Sequence, residues 1–175
     1  MAFWSDAGLD PKRQFKFYVT FAGLLGTGAP HWVVKGVNKP TITVGETVHK
    51  HLDKNYYFPG RVEWNVCKFT MVDPVGPDGL DVSKTIMTVL KGAGLARNTT
   101  GGSAASELTT ISKSLSTSLI GGVSITQVNS VGVTLETWTL QNAWIKSANF
   151  GALAYDNEDL VNVELELRYD WADLT

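Results

Sequence analysis

Leu160-Val161-Asn162-Val163-Glu164-Leu165-Glu166-Leu167-Arg168-Tyr169-Asp170-Trp171 alternates apolar and polar side chains without a break. Val161, Val163, Leu165, Leu167, Tyr169 and Trp171 share one face, and Asn162, Glu164, Glu166, Arg168 and Asp170 share the other. An extended backbone points successive side chains to opposite sides, so this stretch reads as one amphipathic β-strand with a buried face. Such a strand needs sheet partners, and the rest of the chain is searched for them.

Upstream, Asn142 to Phe150, Val133 to Leu140 and the stretch opened by Val123 and Ile125 are strand candidates, with Trp138 on the face of Glu136 and Leu140. Near the start, Gln14 to Phe21 places Phe15, Phe17, Val19 and Phe21 on one face. His31 to Val37 is a shorter strand, and Pro40, which lacks an N–H, marks a sheet edge or bulge. Thr41 to Gly45 is short and β-branched, and 46–55 reads as a polar loop. Pro59-Gly60 has turn chemistry, Pro fixing φ and Gly accepting a positive φ. A second strong strand is expected from Arg61 to Met71, carrying Val62, Trp64 and Val66 on one face.

One helix is expected after Asp81 or Ser83, with Val82, Ile86, Val89 and Leu90 as its apolar face and Gly92 and Gly94 at its end. The region 97–118 is rich in Ser, Thr and Gly. Leu108, Ile111, Leu115 and Leu119 fit a second helix there, although the hydroxylated residues weaken its propensity. An extension that orders against a neighbour fits equally. The expected fold is mainly β, an antiparallel sandwich or barrel with one packed α-helix and long loops, formed as one domain over 1–175.

Composition narrows the function classes. At 175 residues with 43% hydrophobic content, the chain can bury a real core. No apolar run is long enough to span a bilayer, and the first residues lack the pattern of a signal peptide. Cys67 is the one cysteine, so it has no internal disulfide partner, and its alternating apolar surroundings suggest a buried thiol. Net charge is −2, divided unevenly. Residues 1–70 hold nine Lys or Arg and five Asp or Glu, whereas 71–175 hold six and twelve. A general nucleic-acid binder would need a sustained basic face, which is absent.

Signals for catalysis are weak. His49 and His51, two apart on a strand, could share a metal, but only Glu46 and Asp53 stand nearby. Asp156, Glu158 and Asp159 cluster before the last strand without the spacing of a calcium loop. No nucleophile elbow, phosphate-binding loop or dinucleotide fingerprint is present. Aromatic residues near lysines, such as Tyr56 and Tyr57 beside Lys54, could stack on single-stranded nucleic acid or anchor a protein interface. No enzyme and no cofactor is expected.

The chain resembles the tail tube proteins of T4-like contractile-tailed bacteriophages. The likeness is carried by Phe15-Lys16-Phe17, Lys35-Gly36-Val37-Asn38-Lys39-Pro40 and Tyr56-Tyr57-Phe58-Pro59-Gly60-Arg61-Val62. It continues in Trp138-Thr139-Leu140-Gln141-Asn142-Ala143-Trp144-Ile145, Phe150-Gly151 and Leu160 through Trp171. The resemblance implies homohexameric rings stacked into a tube inside a sheath, between a baseplate hub and a terminator. DNA would pass through the channel without specific binding, in a virion assembled in the bacterial cytoplasm. A baseplate-proximal tube initiator and the tube of a phage-like injection machine imply the same fold. On this footing Phe3, Trp4, Glu46, His49, His51 and Asp53 are candidate inter-ring contacts. The polar face Asn162, Glu164, Glu166, Arg168 and Asp170 would line the lumen, or else face the sheath or another subunit.

Overall fold

A computed structural model describes residues 11–25, 30–75, 81–95 and 110–175. Among these residues ten strands and two α-helices run in the order β1 (Phe17–Phe21), β2 (Val34–Val37), β3 (Ile42–His51), β4 (Lys54–Trp64), β5 (Cys67–Val72), α1 (Val82–Gly92), α2 (Lys113–Ile120), β6 (Val123–Val128), β7 (Thr134–Gln141), β8 (Trp144–Asn149), β9 (Asn162–Arg168) and β10 (Trp171–Leu174). The expected mainly-β, antiparallel architecture is present. One four-stranded sheet has the order β1-β6-β7-β10, a second the order β2-β5-β9-β8, and β3 pairs with β4 alone.

The two four-stranded sheets turn their apolar faces toward one core. Val19, Phe21, Val123, Ile125 and Leu140 come from the first, and Phe69, Met71, Val163, Leu165 and Leu167 from the second. Phe21 and Phe69 meet edge-on across the layers, ring centroids 5.3 Å apart. Cys67 is fully buried in this core, as its sequence context implied.

Helix α1 adds Val82, Ile86 and Val89 to the same core. Its free N-terminal amides are met twice: Asp81 accepts from Lys84 N at 2.8 Å, and Asp73 accepts from Val82 N at 2.9 Å. Gly94 ends the helix at a φ of 114°, where a Cβ would lie 2.4 Å from the carbonyl oxygen of Thr110. A second helix also forms, where the sequence left a helix and an extension open. Its packing differs from the sequence pattern, because α2 buries Ser116 and Ile120 while Ile111, Leu115 and Leu119 stay partly exposed. The Ser/Thr/Gly-rich stretch 97–109 lies outside the described residues.

Further expectations are corrected. The segment from Leu160 to Trp171 is not one strand. It ends as β9 at Arg168, turns at Tyr169-Asp170, and continues as β10 in the opposite sheet. The alternation flips at this corner, leaving Trp171 exposed and Ala172 buried. Pro59-Gly60 is not a turn but lies inside β4, where the β3–β4 register shifts between Val44 and Glu46. The chain reverses instead at Leu52-Asp53, so the polar 46–55 stretch is strand, turn and strand rather than loop. The strand expected from Arg61 to Met71 is likewise divided at Asn65-Val66, between the hairpin and the second sheet. Lastly, residues 31–33 form a 3-10 turn, and the strand expected from His31 begins at Val34.

Candidate assembly surface

Strands β3 and β4 make a hairpin that leaves the sandwich. Every residue from Ile42 to Glu63 is exposed, so neither face rests on the chain's own core. Directly opposed residues of an antiparallel pair share a face. The pairs Ile42–Trp64, Val44–Val62 and Val48–Tyr57 therefore build an apolar stripe, which Glu46, paired with Pro59, interrupts. The reverse face carries Thr47–Phe58, His49–Tyr56 and His51–Lys54. An isolated two-stranded hairpin is marginal in water, and an uncovered apolar stripe of this length is a surface suited to protein contact.

The hairpin's root is held from several sides. Asn65 Nδ2 donates to Thr43 Oγ1 at 2.8 Å, and Arg168 Nη2 donates to Glu63 at 2.6 Å. Trp64 packs its ring against Tyr169, centroids 6.0 Å apart. On the β2 side, Lys39 donates to Gln127 Oε1 at 2.7 Å and also to Glu136. Glu136 accepts from Lys12 as well, so one carboxylate holds both the segment before β1 and the hairpin root. The hydrogen bonds from Lys12 and Lys39 push the Glu136 carboxyl down to about 2.

Glu46, His49, His51 and Asp53 all lie on this hairpin, Asp53 at its tip. Phe3 and Trp4 fall outside the described residues. His49 and His51 share a face but stand opposite Tyr56 and Lys54, with no carboxylate across from them. Among the described residues no group of three or more His, Cys, Asp or Glu could hold a metal. Burial raises the Cys67 thiol to about 12, and its Sγ–H donates to Asn38 O at 2.7 Å, the setting of an inert thiol. Tyr56 and Tyr57 point to opposite faces of β4 and cannot form one stacking platform. Among the described residues no helix is long and apolar enough to cross a membrane.

The polar face of β9 is largely neutralised within the chain. Glu166 pairs with Lys68 at 2.7 Å and lies 3.9 Å from Lys146, and the hydrogen bond from Lys68 lowers its pKa. Arg168 takes Glu63. Asp170 sits at the corner after β9, where its carboxylate accepts from Lys113 at 2.6 Å and from Asn142 Nδ2 at 2.9 Å. Its backbone N–H donates to Gln141 O at 3.0 Å. Asp170 thus fastens the crossing between sheets, while Asn162 and Glu164 remain on the outer side of β9, Glu164 exposed and, among the described residues, without a salt bridge.

Sequence reasoning missed the hairpin as a unit. Its apolar stripe has the period of a strand, but the register shift breaks that period near Gly60, and Pro59-Gly60 imitates a turn. The usable signal was the pair of alternating runs flanking Leu52-Asp53.

No protein-family model matches the chain, and no curated protein matches it in sequence. Solved structures do. A chain of the 6-fold symmetrised anti-feeding prophage baseplate is 17% identical, with 95% of this chain and 97% of that chain covered and a TM-score of 0.61. A chain of the PVC sheath/tube terminator, from an extracellular contractile injection system in its extended state, is 16% identical, with 97% and 99% covered and a TM-score of 0.65. A chain of the anti-feeding prophage tube terminating cap is 14% identical, with 100% and 99% covered and a TM-score of 0.65. At these identities the likeness shows the fold alone: the chain shares its overall fold with chains of these assemblies.

Proposed function

We propose that the chain is a structural tube subunit of a contractile, phage-tail-like machine, forming homohexameric rings that stack around a channel. The observation that carries this reading is the β3–β4 hairpin, an apolar-striped arm that the chain itself leaves uncovered. A subunit that works alone has no use for such an arm, whereas a stacked subunit buries it against the next copy. This is heterologous association, one surface meeting a different surface of an identical neighbour, and it extends without closing. Open edges at β1, β10, β2 and β8 supply further backbone donors and acceptors for lateral closure of a ring.

The fold's likeness to chains from a baseplate, a terminator and a cap supports sheath, baseplate and terminator proteins as partners. In a phage tail the channel would conduct DNA without binding it, and the protein would reside in the virion after assembly in the bacterial cytoplasm. The injection-system tube is the second reading, favoured by the matched assemblies, which include an extracellular contractile injection system. For either, the neutralised face of β9 leaves Glu164 as its exposed carboxylate without an ion-pair partner among the described residues, a mild rather than strong acidic lining if this face meets the lumen. Negative-stain microscopy and native mass measurement of the purified chain test the proposal. Sixfold rings or tubes are expected, and a monomer that persists at high concentration in the presence of tube-promoting salt refutes it.

A further inference from the structure

The hairpin and the loop between β8 and β9 lie at opposite ends of one sheet. Strand β5 pairs with β9 from Cys67–Leu167 at one end to Val72–Asn162 at the other. The hairpin joins the Cys67 end through Asn65 and, by way of β2, through Asn38, whose N–H donates to Lys68 O. The 150–161 loop enters β9 at the Val72 end. The seven residues of β9 separate the ends by roughly 22 Å, and the ten-residue β3 reaches about 33 Å further. Since the hairpin is exposed throughout, it does not fold back onto its own chain.

The two ends carry matching features. At the hairpin tip, Leu52 is 92% exposed and adopts a left-handed φ of 55°, a position where Gly or Asn would be less strained. Lys50 and Lys54 flank it, with His49 and His51 adjacent and Asp53 as the one acidic residue of the tip. The 150–161 loop instead forms a concavity of about 570 Å³ lined by Gly151, Leu153, Tyr155, Asp159, Leu160 and Val161. Leu153 and Tyr155 stand almost fully exposed, and Asp156, Glu158 and Asp159 add three negative charges to the same loop.

Resting on the stacked-tube reading, we propose that Leu52 of one copy seats in the 150–161 concavity of the next copy. Lys50 and Lys54 then stand against Asp156, Glu158 and Asp159. The apolar tip loses its water, the charges set the direction of stacking, and the opposite placement of the two features makes the contact repeat from copy to copy.

The test mixes two full-length variants, Leu52→Cys and Leu153→Cys, under assembly conditions with a mild oxidant. Cys67 is buried and does not compete. Cross-linked dimers are expected from the mixture and not from either variant alone. Separately, K50E with K54E is expected to raise the critical concentration about tenfold, and adding D156K with E158K to the same chain is expected to restore it. If the wild type forms tubes but the mixed cysteine variants give no cross-link and the charge swap gives no rescue, this pairing is overturned while stacking stays intact. A wild-type chain that forms no rings or tubes overturns the stacking reading itself.

Discussion

Replacing Val44 and Val62 together by alanine separates a surface that serves assembly from one that serves the chain's own fold. The two side chains oppose each other on the apolar stripe and are 53% and 61% exposed, so about half of each remains for a neighbour to cover. Val→Ala removes two methyl groups, worth about 1.6 kcal/mol if fully buried. Half of that, at two positions, amounts to about 1.6 kcal/mol per subunit, or roughly a fifteenfold rise in the concentration needed for tubes. The sandwich core is untouched, so the cost inside the monomer falls on local opening of the hairpin rather than on cooperative unfolding. A sedimentation assay across a dilution series measures the first effect, and Tm, expected to move by less than about 3 °C, measures the second. An unchanged critical concentration with a native Tm would refute the assignment of this stripe to a contact. A fall in Tm beyond about 5 °C would show instead that the stripe supports the monomer.

Other expectations follow from single side chains. The folded-state carboxyl of Glu136, at about 2, lies below its ordinary value of 4.5, so its contribution is present above pH 4.5 and is lost as pH falls toward 2. Because Lys12 and Lys39 are about half exposed, screening reduces that contribution to about 1–2 kcal/mol. E136Q should therefore shift the denaturant midpoint at pH 7 and produce little difference at pH 2; equal shifts at both pH values would contradict the ion-pair account. Cys67 should resist thiol reagents at pH 8 until denaturant is added, and rapid labelling of the native chain would disprove its burial. D170A should destabilise by about 1–2 kcal/mol through the lost corner hydrogen bonds, read as a lower Tm, while E164A, on the outer side of β9, should leave Tm within about 1 °C. A gel shift with single-stranded DNA at low salt should show no retarded species; a salt-sensitive shift would favour a nucleic-acid-binding module.

The core was legible where burial imposed a period. Val163, Leu165 and Leu167 alternate with polar residues because one face meets the core and the other meets solvent, and Val82, Ile86 and Val89 follow helical spacing for the same reason. Legibility failed where tertiary placement overrode the local pattern. Between Arg168 and Trp171 the alternation continues in sequence although the chain changes sheets, since Tyr169 still points inward and the crossing is fixed by Asp170 through remote partners, Gln141, Asn142 and Lys113. The hairpin failed differently. With solvent on both sides no burial contrast marks its register, and a proline and glycine inside β4 resemble a turn. Glu46, His49, His51 and Asp53 were singled out as a polar loop, and their position on a paired arm could be seen only once β3 met β4.

The register shift at Gly45 and Gly60 has a consequence for the free subunit. Both outer edges of the hairpin expose backbone groups, which in a flat apolar strand would recruit any passing strand into an untemplated sheet. Here Pro59 withholds an N–H and the bulge beside it interrupts the edge halfway along β4. Lysines at positions 50 and 54 guard the outer half. On the stacked-tube reading, the arm can thus keep an apolar stripe for the next copy while resisting indiscriminate strand addition, so that subunits not yet assembled would be spared untemplated pairing.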